Sequence, residues 1–287
     1  MPELPEVETV RRGLEAVTLH QSITGGDVLL ARAIAGGVSS LDFLTELTGQ
    51  SLTGWKRRGK YLLGQLSNGG FLGVHLRMSG QLLWLSAPSP PCTHTRVRLF
   101  FVSGHELRFV DQRTFGRMWW VPPGDRPEHI ISGLSRLGPE PLEPGFSCEY
   151  LYQKLKSTHR PIKTVLLDQG VVAGMGNIYA DESLFLSGLH PQRIAASLTT
   201  TEVALLHQQI CIVLDQGIQA GGTTIRNFVS PEGVNGHYSG QAWVYGRKGN
   251  PCRRCQSPIE RLRLGGRSSH YCPQCQPPTA ISIHPQG

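Results

Sequence analysis

The strongest constraint on the fold is a group of four cysteines near the carboxyl terminus. They follow the pattern Cys-x2-Cys-x16-Cys-x2-Cys and are Cys252, Cys255, Cys272 and Cys275. Each Cys-x-x-Cys pair presents two sulfur atoms to one tetrahedral metal ion, and the segment between the pairs is long enough for a β-hairpin. We therefore predict one structural zinc ion, because four thiolates leave no open coordination position. Two disulfides are the alternative, which a cytosolic chain disfavours.

The segment around these cysteines is basic. Only one acid, Glu260, accompanies the basic residues Arg247, Lys248, Arg253, Arg254, Arg261, Arg263 and Arg267. The whole chain has 28 Lys and Arg against 21 Asp and Glu, a net charge of +7. Such an excess is compatible with nucleic acid as a partner, and a small basic zinc hairpin typically docks on it. The alternative is a charged, solvated surface that only caps a helical domain.

Length and composition indicate a globular chain of about two domains. The 287 residues are 39% hydrophobic and 17% charged, which excludes wholesale disorder. No apolar run approaches the ~18 residues that a membrane span needs. The acidic amino terminus does not resemble a secretory signal, so we expect a cytoplasmic protein with no membrane partner. Cys92, Cys148 and Cys211 are scattered, and we expect ordinary thiols there.

The spacing of apolar residues divides the chain. Leu4, Val7, Val10, Leu14 and Val17 form one stripe and predict a helix over 2–17. Short apolar runs with tight turns predict strands between 21 and 121, including hairpins around 67–70 and 103–104, and favour a β-sandwich. Helical spacing returns over 147–220, with a glycine-rich turn at 170–177 opening a helix at 178. The fold class is therefore α+β and multidomain: a helix plus β-sandwich, then a helical domain with a zinc β-hairpin.

The amino terminus has its own chemistry. Removal of Met1 would leave Pro2 as a secondary amine, and a nitrogen nucleophile of this kind attacks an aldehyde carbon to give an iminium. The iminium cannot lose its charge by deprotonation and so acts as an electron sink for elimination. Glu3 stands beside it as a candidate acid or base. From composition alone, the bland interpretation of Pro2 as a helix-start residue is favoured.

The motifs together resemble the bacterial formamidopyrimidine-DNA glycosylase family. The resemblance rests on PELPEVETVRRG at 2–13, RGKYLL at 58–63, HLRMSG at 75–80, LGPEPL at 137–142, GNIYA at 176–180, GGTT at 221–224, VYGRKG at 244–249 and the cysteine module. These motifs follow one another from residue 2 to about 276.

The resemblance implies a bifunctional DNA glycosylase and AP lyase of base excision repair. It would flip an oxidised purine, 8-oxoguanine or a formamidopyrimidine, out of duplex DNA, excise it through an imine at Pro2 and cleave the strand by β,δ-elimination. The implied catalytic residues are Pro2, Glu3, Lys60 and Arg267, and the implied DNA-binding residues are Met78, His94, Arg113, Phe115, Arg160 and Asn177. Without the resemblance, core packing is favoured for Met78 and Phe115, and a surface salt bridge for Arg113.

Periodicity and composition give the domain boundaries, and the resemblance gives the names of the domains. We predict a catalytic β-sandwich domain at 1–121, a proline-rich linker at 122–146, a helix-two-turn-helix DNA-binding domain at 147–236, a zinc finger at 237–276 and a disordered tail at 277–287. We expect a monomer, associated with the nucleoid when it is bound to DNA.

Some residues depart from the family pattern, and two other functions compete. Arg77 stands where many relatives have Gly, Thr114 replaces a second basic residue, and His237 replaces a more usual Tyr. The departures bear on lesion preference.

One rival is the endonuclease VIII branch, which prefers oxidised pyrimidines and usually begins Pro-Glu-Gly-Pro. The other is a non-catalytic zinc-finger DNA-binding protein, which would not need the four catalytic residues together.

Overall fold

The computed structural model describes residues 1–87, 89–222, 228–229 and 242–278. The chain divides into two compact units. The first unit comprises Met1–Leu137 and Gly217–Ser239, and the second comprises Gly138–Gln216 and Gly240–Gly287. The predicted tail beyond residue 278, most of the segment 223–241 and the departure at His237 lie outside the described residues. The boundaries of the predicted domains stay predictions.

The first unit is a sandwich of two five-stranded sheets. One sheet contains, in spatial order, β1 (Ile23–Val28), β7 (Thr95–Phe101), β8 (Glu106–Asp111), β6 (Gly80–Leu85) and β10 (Phe228–Val229). The other contains β2 (Ile34–Ala35), β9 (Arg117–Val121), β5 (Phe71–His75), β4 (Tyr61–Leu66) and β3 (Leu52–Arg58). Neighbours are antiparallel except the pairs β6–β10 and β2–β9. Apolar residues of both sheets share one buried core, which confirms the predicted β-sandwich.

Helix α1 (Leu4–Thr18) packs its predicted apolar stripe into that core. The helix begins two residues later than the stripe predicts, because Glu3 has an extended backbone and caps the helix. Glu3 and Glu6 form a capping box, in which the Glu3 N–H donates to Glu6 Oε2 at 2.8 Å. The cap therefore leaves Pro2 and Glu3 outside the helix and fixes their direction.

Two short helices in the first unit were not predicted. Helix α2 (Ser40–Leu47) lies within the stretch expected to be strands, and Ser39 Oγ accepts the Asp42 N–H at 3.1 Å at its start. Helix α3 (Pro127–Ile130) lies within the predicted linker. The residues that follow it, Ile131 and Leu134, are buried in a small apolar cluster of the first unit. The first part of the linker is thus packed against the sandwich rather than extended.

The second unit is built on four helices and a hairpin among its described residues. The helices are α4 (Cys148–Lys156), α5 (Ile162–Leu166), α6 (Asn177–Leu186) and α7 (Thr200–Gln219), the last of which crosses into the first unit. Glu202 accepts the Thr199 N–H at 2.7 Å, which caps the start of α7. The hairpin consists of β11 (Glu260–Leu264) and β12 (Arg267–Tyr271), and it lies between the two cysteine pairs as predicted.

Candidate active site and nucleic-acid interface

The amino-terminal residues are held tightly. Pro2 and Glu3 are buried, whereas Met1 is exposed. The Glu6 carboxylate that caps α1 is also buried and lies against Gly222, where a Cβ would be only 2.8 Å from Glu6 Oε1. Gly222 also has a φ of +78°, so the chain needs glycine there for two reasons. Two buried carboxyl groups therefore stand within four residues of the predicted nucleophile. Glu6 and Gly222 were not predicted as site residues, although the Glu3-x-x-Glu6 spacing is that of a capping box.

Lys60 lies in the two-residue turn between β3 and β4. Arg58 pairs with Tyr61 across this turn, and Gly59 supplies the left-handed backbone with a φ of +54°. Arg57 Nη1 donates to the Gly59 carbonyl at 3.1 Å. The Lys60 residue is only 5% exposed, which is rare for a lysine. The turn therefore holds a basic amine in a buried position instead of leaving it on a flexible stem in solvent.

Met78, Arg113 and Phe115, three of the predicted DNA-binding residues, stand on two turns that one carboxylate joins. Ser79 Oγ donates to Asp111 Oδ1 at 2.5 Å, and the Arg113 N–H donates to Ser79 Oγ at 2.9 Å. The other oxygen, Oδ2, accepts the Gly116 N–H at 2.7 Å. The Asp111 side chain is buried, so it holds the turn after β5 to the turn after β8. Sequence reasoning did not single out Asp111.

The side chains on these turns point to solvent. Met78 is 43% exposed and Phe115 is 50% exposed, so the core-packing interpretation of both is wrong. The Arg113 guanidinium lies 5.1 Å from the centre of the Phe115 ring, a cation–π contact rather than a salt bridge. His94 is half-buried, and its carbonyl accepts the Asp111 N–H at 2.9 Å. Structure thus brings Met78, His94, Arg113 and Phe115 around one buried aspartate.

The second unit brings two of its predicted residues together and leaves one apart. Asn177 begins α6, and its Nδ2 lies 3.4 Å from the hydroxyl of Ser268, the residue after Arg267. Asn177 Oδ1 is buried without a hydrogen-bond partner among the described residues. Arg267 is exposed at the start of β12. Arg160 is elsewhere and pairs with Asp168 at 3.1 Å. A helix start and an exposed arginine side by side are suited to binding phosphate.

Beneath Asn177 and Arg267 lies a buried ion pair that was not predicted. Lys163 Nζ is 2.6 Å from Asp181 Oδ1, and neither side chain is exposed. Lys163 also donates to the Ser268 carbonyl at 2.6 Å, while Asp181 Oδ2 accepts the His270 N–H at 2.9 Å. These bonds connect α5 and α6 to β12. The strand that carries Arg267 is therefore fastened to the helical part of the unit.

A second buried carboxylate of α6 holds the chain just before the cysteine module. Glu182 accepts the backbone N–H groups of three consecutive residues, Trp243, Val244 and Tyr245, at 2.7–3.0 Å. Burial raises the pKa of Glu182, and the three amide donors oppose that rise. The contacts fix the entry to the zinc hairpin.

The four cysteines form the predicted metal site. Their Sγ atoms all lie within 4.8 Å of one another. The sulfur atoms lie 3.4 Å apart in Cys255 and Cys272, 3.5 Å apart in Cys255 and Cys275, and 3.9 Å apart in Cys252 and Cys275. These separations are close to the roughly 3.8 Å edge of a tetrahedron with Zn–S bonds of ~2.3 Å. The Arg254 N–H points to Cys252 Sγ, and the Cys275 N–H points to Cys272 Sγ, each at 3.4 Å. This donor set fits one structural zinc ion.

Three family models match this chain over most of its length. Residues 1–118 match the formamidopyrimidine-DNA glycosylase N-terminal domain, residues 137–229 match the formamidopyrimidine-DNA glycosylase H2TH domain, and residues 249–278 match the zinc finger found in FPG and IleRS. The chain is 64% identical over 277 residues to the formamidopyrimidine-DNA glycosylase of Thermosynechococcus vestitus, covering 96% of this chain and 98% of the relative. The chain belongs to the formamidopyrimidine-DNA glycosylase family.

Solved structures of formamidopyrimidine-DNA glycosylases have the same fold. The Lactococcus lactis enzyme in complex with DNA containing Fapy-dG is 34% identical, with a TM-score of 0.88 over 96% of this chain and 100% of that one. The Thermus thermophilus enzyme is 39% identical, with a TM-score of 0.85 over 96% of this chain and 98% of that one. This chain is accordingly a DNA glycosylase of base excision repair with AP lyase activity, and the non-catalytic alternative is wrong.

Two of the departures from the formamidopyrimidine-DNA glycosylase pattern share a backbone conformation. Arg77 has a φ of +53° and Thr114 a φ of +59°, both in the left-handed region that favours glycine. Glycine at position 77 would adopt this conformation without steric cost. Thr114 Oγ1 accepts from Arg32 Nη2 at 2.6 Å, so a cation from another segment stands next to this position.

Among the described residues, no helix is long and apolar enough to cross a membrane.

Proposed function

We propose that this glycosylase excises oxidised purines, formamidopyrimidines and 8-oxoguanine, from duplex DNA. The observation that carries the proposal is the exposed Met78 beside the Arg113–Phe115 stack. An apolar side chain of this kind can enter the space that an extruded base leaves, and the stacked guanidinium can face the orphaned base. The L. lactis relative bound to Fapy-dG DNA supports the same class of lesion.

The reaction begins at Pro2 after Met1 is removed. The Pro2 nitrogen attacks C1′ of the damaged nucleotide, the bond from C1′ to the base breaks, and the base leaves with a proton. The bond from C1′ to O4′ then breaks and O4′ takes up a proton, which leaves an iminium between Pro2 and the opened sugar. Loss of a proton from C2′ sends that electron pair towards the iminium. Elimination then breaks the bond from C3′ to its phosphate, and a second elimination breaks the bond at C5′. Water releases Pro2 from the remaining sugar fragment.

Each catalytic residue has a role that suits its surroundings. Glu3 is buried next to Pro2 and moves the protons of ring opening and elimination. Lys60 is buried in its turn and assists departure of the base and elimination. Arg267 is exposed beside Asn177, and we assign both to DNA phosphate. His94 and Arg160 are assigned to phosphate as well. Zinc supplies only the fold of the hairpin.

One copy of the chain suffices, because one lesion lies in one duplex. We therefore propose a monomer that works on the chromosome in the cytoplasm. Binding should weaken steeply as salt increases, since several phosphates are neutralised at once.

The test is reductive trapping with sodium borohydride on matched duplexes. One duplex carries 8-oxoguanine opposite cytosine, a second carries an oxidised pyrimidine, and peptide mapping locates the adduct. We expect an adduct at Pro2 that forms preferentially on the 8-oxoguanine duplex. We expect none with protein that retains Met1, because the Pro2 nitrogen is then an amide and cannot attack C1′. An adduct confined to the pyrimidine duplex would move the chain to the endonuclease VIII branch. An adduct at a lysine would overturn the role of Pro2.

A further inference from the structure

Arg96 lies at a β-bulge next to His94. In the ladder between β7 and β8 the register shifts between Thr95 and Val97, so Arg96 is an extra residue on its strand. A bulge of this kind turns a side chain away from the direction that it has in a regular strand. The Arg96 carbonyl accepts the Leu29 N–H at 2.9 Å, so the backbone is held independently of the side chain. The half-buried guanidinium is therefore left to make contacts of its own.

His94 is a central residue of a tight turn. The Thr95 N–H donates to the Cys92 carbonyl at 2.9 Å, which makes Thr93 and His94 the two central residues. This backbone bond places His94, but it does not determine how the imidazole ring is rotated. A contact to the ring itself comes from Arg96.

The Arg96 guanidinium makes three contacts around this turn. Nε donates to the Asp111 carbonyl at 2.8 Å, and Nη1 donates to the Thr93 carbonyl at 3.2 Å. Nη2 lies 3.4 Å from Nδ1 of the His94 ring. Because a guanidinium is a planar, rigid fork, three bonds in different directions fix its position. Arg96 therefore joins the end of β8 to both the backbone and the ring of the His94 turn.

The contact also determines which ring nitrogen of His94 carries the proton. A guanidinium has five N–H donors and no acceptor, so Nδ1 of His94 must accept from it. A neutral ring that accepts at Nδ1 carries its proton on Nε2. Nε2–H is then the donor that the ring offers to a phosphate oxygen, which only accepts.

We propose that Arg96 is a positioning residue for DNA binding: it sets the rotation of the His94 ring and keeps the ring proton on Nε2, so that this N–H meets a DNA phosphate. The inference rests on the proposed function, in which His94 is assigned to phosphate. Arg96 acts through His94, so its contribution should disappear when the imidazole is absent. A direct contact between Arg96 and phosphate is the alternative, but three of the guanidinium donors are already used within the protein.

The contribution is measured as the affinity of the full-length protein for a duplex with a tetrahydrofuran abasic-site analogue, which does not depend on the lesion class. We expect His94→Ala to weaken binding about tenfold, the effect of one lost hydrogen bond to a charged group. We expect Arg96→Met to weaken it about fivefold, because the ring must then be immobilised on binding. In the His94→Ala background, Arg96→Met should have less than about twofold further effect. Multiplicative losses would overturn the proposal.

Arg98→Met is the matched control, because it removes the same charge from the same strand. Arg98 donates to Glu106 Oε1 at 2.9 Å and to the Ser89 carbonyl at 3.2 Å. Glu106 keeps Arg108 as a partner at 2.6 Å in this variant. We expect Arg98→Met to bind DNA within about twofold of the parent. A loss equal to that of Arg96→Met would mean that charge alone matters and would overturn the proposal.

The salt dependence of binding separates positioning from a direct contact. It should be unchanged in Arg96→Met, because a neutral His94 ring displaces no counterion from DNA. A slope shallower by about one phosphate would mean that Arg96 itself binds DNA and would overturn the proposal. Arg96→Lys is the second variant if Arg96→Met does not fold, since it keeps the charge and loses the planar fork. It should weaken binding by the same factor, and parental affinity would overturn the proposal.

Nitrogen NMR of isotope-labelled histidine rings distinguishes this proposal from the assignment of His94 to phosphate. At about pH 8, above the ordinary histidine pKa of about 6.5, the spectrum identifies the protonated ring nitrogen, and the signal lost in His94→Ala assigns the ring. We expect the parent ring to carry its proton on Nε2 and Arg96→Met to populate the Nδ1–H form as well. If His94→Ala binds DNA as the parent does, the phosphate role of His94 is wrong, and this spectrum alone decides the positioning role. A proton on Nδ1 in the parent, or an unchanged spectrum in Arg96→Met, would overturn the proposal.

Discussion

In the first unit, Met78 and Arg113 stand on turns that are closed by hydrogen bonds to the Asp111 carboxylate and the neutral His75 ring. In the second unit, Asn177 and Arg267 lie beside the buried Lys163–Asp181 ion pair, and the same unit contains the four-cysteine zinc site. The first arrangement depends on a well-packed sandwich that already supplies the turns. The second unit has a hairpin of only five residues in each strand, which cannot bury a core of its own. Metal and buried charge therefore replace apolar burial where the structure is small.

The largest effect should follow removal of zinc. Chelation, or Cys255→Ala, should unfold the hairpin and reduce DNA binding by more than about a hundredfold, since structural zinc contributes ~10 kcal/mol to the folding of such modules. The sandwich should keep its β-sheet circular dichroism. Zinc content and DNA affinity measure the outcome. Cys92→Ser, which changes an exposed thiol outside the module, is the control and should behave like the parent. Full DNA affinity in zinc-free protein would contradict the inference that the hairpin of the second unit depends on its metal.

The next effect concerns the buried ion pair. Lys163→Met should reduce the free energy of unfolding by about 3–5 kcal/mol, because it leaves the Asp181 carboxylate buried and uncompensated. Urea unfolding followed by circular dichroism measures the change.

The control for this change is an exposed ion pair of the first unit. The Arg12 side chain is 59% exposed and pairs with Glu8 at 3.0 Å. Arg12→Met should change the free energy of unfolding by no more than about 1 kcal/mol. The double variant Lys163→Met with Asp181→Asn should recover part of the loss. Equal losses in Lys163→Met and Arg12→Met would show that burial does not distinguish the two pairs.

Sequence patterns predict well what depends on neighbouring residues. The stripe of α1, the hairpins of the sandwich and the zinc module follow from spacings of a few residues, and the structure confirms them. Helix α2 was missed because it is short and interrupts a run of strands. Its Ser39-x-x-Asp42 cap was the available signal.

Contacts between distant residues could not be predicted in this way. Ser79 meets Asp111 across 32 positions, and Lys163 meets Ser268 across 105. Nothing in the local pattern around either residue indicates its partner. The exposure of Met78 could not be predicted from the local pattern either, because an apolar residue next to a strand is ordinarily expected in a core. The DNA-binding role predicted for Met78 rests on the family resemblance and not on periodicity.

A smaller effect should appear as a dependence of stability on pH. The pKa of His75 is lowered to about 3, below the ordinary value of 6.5. Below about pH 6.5 the unfolded chain therefore takes up a proton that the folded chain does not, so stability present at neutral pH is lost as the pH falls from about 6.5 towards 3. Between pH 7 and 4.5 the loss from this group should be roughly 2 kcal/mol.

His75→Asn is the variant that isolates this effect, because it has no titrating group at the site. Its free energy of unfolding should decline less steeply than that of the parent over the same interval, measured by urea titration at each pH. Parallel curves for the parent and His75→Asn would mean that the His75 ring does take up a proton in the folded chain.

The smallest change in stability is expected when a residue with a left-handed backbone is replaced by glycine, once in each unit. Arg77→Gly relieves a backbone that costs an L-residue about 1–2 kcal/mol, and the greater freedom of glycine in the unfolded chain offsets part of that gain. We expect the free energy of unfolding to rise by no more than about 1 kcal/mol. DNA binding should nevertheless weaken, and its dependence on salt should become shallower by about one phosphate, if the exposed Arg77 side chain meets the DNA backbone.

Gln256→Gly is the matched change in the second unit. Gln256 has a φ of +67° and no charge, so glycine should give a similar small gain in stability and leave the salt dependence of DNA binding unchanged. If both variants gain stability and only Arg77→Gly changes the salt dependence, the arginine at position 77 is retained for DNA at the expense of its turn. If Arg77→Gly instead loses stability, the hydrogen bond from the residue 77 amide to His75 does not hold the turn without the arginine side chain. The left-handed backbone of Arg77 would then not lower the free energy of unfolding as its φ angle indicates.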